Sequence, residues 1–299
     1  MAWNRRPGAL PVELQLEIID TIGEEAAFLS EDKFELDPDG FETLYNVSFF
    51  CKEWHSMALR HIFRRMRLTT HWRKTMTYKR NDERGRLACL LPLLQHNSSI
   101  GDCVKTVYLE LPVDDDDEHA LLEEVSKHIT PVTSLTINFE CLIPHMHRNW
   151  SLRCYPHLLN AFHNLTRTAE LRELRLQSEF LHTSFLEGIE DLETLALSDS
   201  FSGLVVDHHL PSNLPRPRKL IMGDNPKMPK SEVRNSPEIR DFFSNVEQLT
   251  TLGVGIAEPY RWGEVLNVGK LASLSLHCYT SRYTGGTWTL LPGCTSNFR

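Results

Sequence analysis

The chain has 299 residues, 41% of them apolar and 24% charged, with a formal net charge of -8 at pH 7. Those proportions describe a globular protein of one large or two ordinary domains, and the negative balance argues against a dedicated nucleic-acid binder, which concentrates Lys and Arg. No run approaches the ~20 apolar residues that a membrane helix needs, and Met1 to Gly8 lacks the apolar core of a secretory signal, so the cytosol or nucleus is the expected compartment, with no membrane partner.

The first element opens at Leu10-Pro11-Val12-Glu13-Leu14. Pro11 suits the first turn of a helix, where the N–H it lacks would have no intrahelical partner. Leu10, Leu14, Ile18 and Ile22 follow at four-residue intervals and make one apolar stripe. Glu24 to Gly40 is rich in acids and reads as a loop or inserted turn, an insertion that costs little stability. A second helix is predicted through Leu44, Val47, Cys51, Trp54 and Ala58, spaced by three and four, and a third through Ile62, Phe63 and Met66 inside a basic run. Three short helices with one greasy stripe each cannot bury all of that surface among themselves, and Trp54 brings a large apolar area of its own.

Three phrases in order, Leu-Pro-x-Glu-Leu (Leu10 to Leu14), Val-x-x-x-Cys-Lys-x-Trp (Val47 to Trp54) and Phe-Arg-x-x-x-Leu (Phe63 to Leu68), resemble an F-box. The resemblance implies a trihelical unit over residues 8–68 that docks on the small adaptor subunit of a cullin–RING (SCF-type) ubiquitin ligase, and through it reaches the cullin. Carried over by position, the adaptor-binding residues would be Leu10, Pro11, Leu14 and Ile18, then Leu44, Val47, Cys51 and Trp54. Family members usually have a shorter connection than Glu24 to Gly40 provides.

Residues 69–103 read as a basic linker and a connecting helix. Arg73, Lys74, Lys79, Arg80, Arg84 and Arg86 are interrupted by Asp82 and Glu83, which favours a solvated face over a nucleic-acid patch. Arg86 to Ile100 is predicted as an apolar helix broken at Pro92. A helix ending in Gln-His-Asn-Ser-Ser-Ile and then a Val-Lys-Thr-Val strand resembles the join between F-box and repeats in many fungal F-box proteins.

From residue 104 onward one phrase, Leu-x-x-Leu-x-Leu, recurs. Its copies are Val104/Val107/Leu109, Val132/Leu135/Ile137, Leu171/Leu174/Leu176, Leu192/Leu195/Leu197, Pro217/Leu220/Met222, Leu249/Leu252/Val254 and Leu271/Leu274/Leu276. Helices are predicted between them at His119 to Ile129, Pro156 to Thr168, Ser184 to Ile189 and Pro237 to Val246. Middle positions lie between 21 residues (Leu174 to Leu195) and 39 residues (Leu135 to Leu174) apart, around the leucine-rich-repeat unit of about 20–29. The expected fold is therefore α/β, with an α+β character from the N-terminal three-helix F-box, followed over 104–299 by an irregular leucine-rich-repeat solenoid with a parallel sheet. Irregularity is expected because the Asn that closes each turn in such repeats is present only as Asn225. After Leu276 no amphipathic closing helix follows, so the domain reads as truncated or fraying at its end.

Nothing in the chain spells catalysis: no nucleophile elbow, phosphate loop or zinc-hydrolase spacing occurs, so no catalytic residue, cofactor or enzyme activity is expected. The seven cysteines show no close pairing and read as small buried hydrophobes of a reducing compartment. Cys141, His145, His147, Cys154 and His157 are ligand types for zinc, yet their spacing fits no paired knuckle, so no metal site is assigned. Two readings stay open: a ligase substrate receptor whose repeats hold a target protein, and a non-ligase leucine-rich-repeat scaffold whose N-terminal helices merely cap the sheet. They differ in whether Leu14, Ile18, Val47 and Trp54 lie exposed together. In either case period-two alternation sends the residues between the leucines to the opposite face, where Tyr108, Glu173 and Arg175 are the expected target contacts. That face is poor in Lys and Arg, so nucleic acid is not the expected ligand.

Overall fold

In the computed structural model, eight parallel strands stand side by side in the order in which the chain makes them, and a ninth runs antiparallel at the end. The structure describes residues 11–27, 38–69, 86–110, 116–129, 132–138, 156–166, 170–177, 180–182, 191–197, 203–205, 214–222, 242–252, 270–280 and 283–290, with Leu186 and Ile189. Its elements are α1 (Val12–Ala27), α2 (Pro38–Val47), α3 (Lys52–Phe63), β1 (Arg65–Thr69), α4 (Arg86–His96), α5 (Ser98–Cys103), β2 (Thr106–Glu110), α6 (Asp116–Ser126), β3 (Ser134–Asn138), α7 (Pro156–Thr166), β4 (Glu173–Gln177), β5 (Phe180–His182), β6 (Thr194–Leu197), β7 (Gly203–Val205), β8 (Lys219–Met222), β9 (Gln248–Leu252), β10 (Ser273–Thr280) and β11 (Tyr283–Leu290). The large sheet is β1-β2-β3-β4-β6-β8-β9-β10-β11, while β5 and β7 pair separately.

The pairing register stacks the apolar residues into two rows. One runs Met66, Val107, Leu135, Leu174, Leu195, Leu220, Leu249, Leu274, and the other Leu68, Leu109, Ile137, Leu176, Leu197, Met222. Helices α4, α6 and α7 supply Leu87, Leu94, Leu122, Val125, Leu158, Phe162 and Leu165 to the same buried cluster. The architecture is thus α/β, a parallel sheet with helices against one face. The strands β2, β3, β4, β6, β8, β9 and β10 each begin at a repeated backbone device: two successive N–H groups donate to a single carbonyl at the preceding strand's start. Lys105 and Thr106 donate to Arg64, Thr133 and Ser134 to Lys105, Arg172 and Glu173 to Thr133, and the pattern continues to Ala272 and Ser273 on Glu247. These bonds satisfy donors beside a buried core that would otherwise lose their hydrogen-bond partners.

Three sequence expectations need correcting. Met66 lies in β1 rather than on a third helix, because Phe63, Met66 and Leu68 are a further copy of the recurring phrase; Met66 and Leu68 turn into the core while Arg65 and Arg67 face solvent. The expected boundary at residue 68 therefore runs through a strand of the sheet. The Leu44 to Ala58 pattern is two helices, not one. It breaks where Ser48 donates its hydroxyl to Tyr45 O and Cys51 takes an extended backbone, φ -160° and ψ 171°, to start α3. The sixth phrase is phased three residues early. Leu249, not Leu252, pairs with Leu220 and Leu274, and Val246, which is buried, takes the first place. With that phase Leu220 to Leu249 is 29 residues and Leu249 to Leu274 is 25.

Smaller differences follow the same logic. The connecting helix does not break at Pro92. It continues to His96, and α5 begins after Asn97. The bond Pro92 cannot make is to the carbonyl of Ala88, an exposed residue, so water reaches that acceptor. Cys51, Cys89 and Cys103 are free thiols and none is fully buried; Cys89 lies on the outer side of α4, whose inner side is Leu87 and Leu94. Ser184 to Ile189 falls mostly, and Pro237 to Val246 half, outside the described residues. No helix among the described residues is long and apolar enough to cross a membrane.

Candidate functional site: an exposed apolar surface on three short helices

Helices α1, α2 and α3 pack against one another around a small core of their own, Ile19 and Leu44, with Ile22, Val47, Trp54, Met57 and Ile62 partly buried against it. Two close approaches pin α1 to α3. Gly23 lies flat against the ring of His61, leaving no room for a side chain, and His61 Nε2 donates to Asp20 Oδ1 at 2.8 Å. The indole of Trp54 donates from Nε1 to Gln15 Oε1 at 3.1 Å, which sets its ring beside the outer side of α1.

Because Ile19 supplies the inward contact of α1, the neighbouring stripe of Leu14 and Ile18 faces out, 45% and 48% exposed. Large exposed apolar side chains among the described residues are Val12, Leu14, Ile18, Phe41, Tyr45, Phe49, Phe50 and Leu93, and all but Leu93 belong to this unit. Their arrangement is ordered. Phe41 stacks on Tyr45 at 6.2 Å, Tyr45 meets Phe49 edge-on at 4.9 Å, and Phe50 tilts on Trp54 at 5.4 Å. The two aromatic rows join at the Phe49–Phe50 turn, where the rings are 69% and 65% exposed. Scattered exposed apolar residues are ordinary, but a cluster of them marks an interaction surface.

The expected adaptor contacts divide into three groups here. Pro11, Leu14 and Ile18 are exposed; Val47, Cys51 and Trp54 are half-buried; Leu44 is fully buried and serves the unit's core. Leu10 lies outside the described residues. The sequence reading missed Phe41, Tyr45, Phe49 and Phe50. Their spacing of four along α2, Phe41 to Tyr45 to Phe49, was the available signal. The surface borders two charge zones: α1 carries Glu13, Glu17, Asp20, Glu24 and Glu25 with no Lys or Arg, while α3 and β1 carry Lys52, Arg60, Arg65 and Arg67 against the single acid Glu53.

On the sheet, the outer face is closed at one end and open beyond it. Tyr108, Thr136 and Asn138 are buried, Glu173 is half-buried and Arg175 is exposed. Asn138 Nδ2 donates to the Tyr108 hydroxyl at 2.8 Å, that hydroxyl donates to Gln177 Oε1 at 3.3 Å, and Arg67 stacks over the Tyr108 ring at 5.3 Å. Tyr108 therefore organises its neighbours rather than standing free as an anchor. In β9 the outer positions include Gln248 and Thr250, a consequence of the earlier phase.

Of the candidate zinc residues, His157 is described. It lies exposed on α7 and donates from Nδ1 to Glu123 Oε2 at 2.7 Å, beside Asn160, which donates to Glu123 Oε1. His157, and after it Asn160, hold the Glu123 carboxyl below its usual range. Cys141, His145, His147 and Cys154 lie outside the described residues. Comparison with protein-family models, with curated proteins and with solved structures finds no match to this chain.

Proposed function

We propose that the chain is a substrate-recognition subunit of a cullin–RING (SCF-type) ubiquitin ligase, with an F-box in α1 to α3 that docks on the adaptor and a degenerate leucine-rich-repeat sheet that holds a target protein. The observation that carries this reading is the outward-facing stripe of Leu14 and Ile18 beside Trp54 and Phe50, on helices whose own core is already filled by Ile19 and Leu44. A cap would turn that stripe inward. The repeat reading is supported by in-order parallel pairing and by Leu174 to Leu195, Leu195 to Leu220, Leu220 to Leu249 and Leu249 to Leu274, which lie 21, 25, 29 and 25 residues apart, within the repeat unit of about 20–29. Such a protein needs no catalytic residue, because holding target and ubiquitin carrier together raises their effective concentration.

A second reading, a non-ligase repeat scaffold, is favoured by one observation: α3 packs on α5, and Phe63 at its end joins the sheet's core. The two are separated by capture of purified SCF adaptor on the full chain. Leu14→Glu and Ile18→Glu place charges on a surface that the fold leaves open, so the variants stay folded. Under the receptor reading each costs about 2 kcal/mol or more of adaptor binding, as apolar anchors do. Equal capture by folded variants and parent would leave the scaffold reading.

A further inference from the structure

One row on the outer face of the sheet runs Arg67, Tyr108, Thr136, Arg175 across β1, β2, β3 and β4, each residue paired in register with the next. Strands lie ~4.8 Å apart, so two arginines stand about 14 Å apart at their Cα atoms with a tyrosine and a threonine between them. The Thr136 hydroxyl is buried and has no hydrogen-bond partner among the described residues. Buried polar atoms almost always have one. Beside it, Arg175 spends only Nε, on Glu173 Oε1 at 2.7 Å, so its terminal nitrogens carry no partner among the described residues.

We propose that Thr136 and Arg175 form a subsite for a carboxylate side chain on an extended segment of a target protein, with Arg67 and Tyr108 as its wall. The inference deepens the receptor reading by giving the class of target, and it rests on that reading only for the word target. A carboxylate fits the donors present: the terminal nitrogens of Arg175 bind two oxygens in a fork, and the Thr136 hydroxyl, at the paired position on the next strand, supplies a third donor. A phosphate fits less well, since Glu173 already halves the local positive charge and would repel a dianion. An extended peptide fits because its side chains alternate, so one acid enters the row while its neighbours face away.

The probe is a fluorescein-labelled ten-residue peptide alternating Glu and Gly, titrated into the full chain at low salt, with Gln–Gly and phosphoserine–Gly peptides as comparators. The chain's net charge of -8 repels acidic peptides in general, so attachment reports a local site. The expected result is saturable binding of the Glu peptide alone, weakened about tenfold or more by Arg175→Gln and by Thr136→Val, two to three hydrogen-bonding groups being at stake. Thr136→Val keeps the side-chain shape, and removing an unpartnered hydroxyl leaves its melting temperature equal or higher. A hydroxyl with a structural role would instead lower it. Binding unchanged in both variants, equal binding of the Gln peptide, or tighter binding of the phosphoserine peptide would each overturn the proposal. No adaptor is present in this assay, so its failure leaves the docking reading untouched.

Discussion

A Cβ at Gly23 would collide with the His61 ring near its root, at Cγ and Nδ1, where no rotation of the ring relieves it. Either α1 or α3 must back away. Gly23→Ala should therefore destabilise the three-helix unit by about 1–3 kcal/mol, the usual cost of overpacking, even though Ala is the better helix former. Thermal unfolding followed by far-ultraviolet circular dichroism measures it, and an unchanged or raised midpoint would show that the helices have slack. Glu123 is the residue whose titration matters. Its carboxyl is held low by His157 first and Asn160 after it, so ionised Glu123 is the form the fold favours. The contribution is present in full above the ordinary carboxylate range and is lost as pH falls through the lowered folded value. Being partly solvated, the cluster contributes under about 1 kcal/mol. Glu123→Gln should thus melt slightly below the parent at pH 7, and the gap should close as unfolding scans are taken down through the lowered folded value of Glu123, where both proteins lack the charge. A gap that widens in acid would contradict the sign.

Among elements, what the sequence made legible was the period of the phrase, and what hid the rest was competition between periods. Six of the expected strand copies fell in place because Leu-x-x-Leu-x-Leu puts two residues two apart into the core and leaves a third just before the strand, a pattern that matches Leu171/Leu174/Leu176 without ambiguity. Phe63/Met66/Leu68 has the same spacing, but the preceding Trp54, Ala58 and Ile62 extend a helical period into it, and three arginines mask the alternation. Val246 to Val254 supports two phases, and an odd shift between them exchanges the faces of the strand; the turn bonds from Glu247 and Gln248 to Arg218 settle the choice. The aromatic row on α2 was missed because the Leu44-to-Ala58 period drew it inside a longer helix, when the backbone in fact turns at Ser48. The phase has its own test. Val246→Asp puts an unpaired charge into the core and should cost about 3 kcal/mol or more in denaturant unfolding. If Val246→Asp were tolerated, Leu252 would have to be the inward residue after all.

The whole molecule has two apolar cores of unequal size that meet along α3. Ile19 and Leu44 centre the small one, the sheet rows and helices α4, α6 and α7 make the large one, and Ile62 and Phe63, adjacent in sequence, belong one to each. A partner that covers Leu14, Ile18, Phe49 and Phe50 completes the smaller core from outside while touching little of the larger. Binding stabilises the bound state by mass action, and amide exchange reports that stabilisation region by region. With adaptor in excess, exchange should slow across α1, α2 and α3, while the amides of β3, β4 and β6 keep their free-chain rates. Slowing should stop near Phe63, where the chain passes from one core to the other, and Leu14→Glu should reduce it at equal adaptor concentration. The charge zones predict the salt response of the same complex. Since α1 has only acids and α3 with β1 is basic, rim contacts will be made by charges of both signs, so raising salt should weaken capture only modestly. Slowed exchange spread over the sheet rather than the helices would mean that the partner sits on the outer face, and the exposed apolar surface of α1 to α3 would need another explanation.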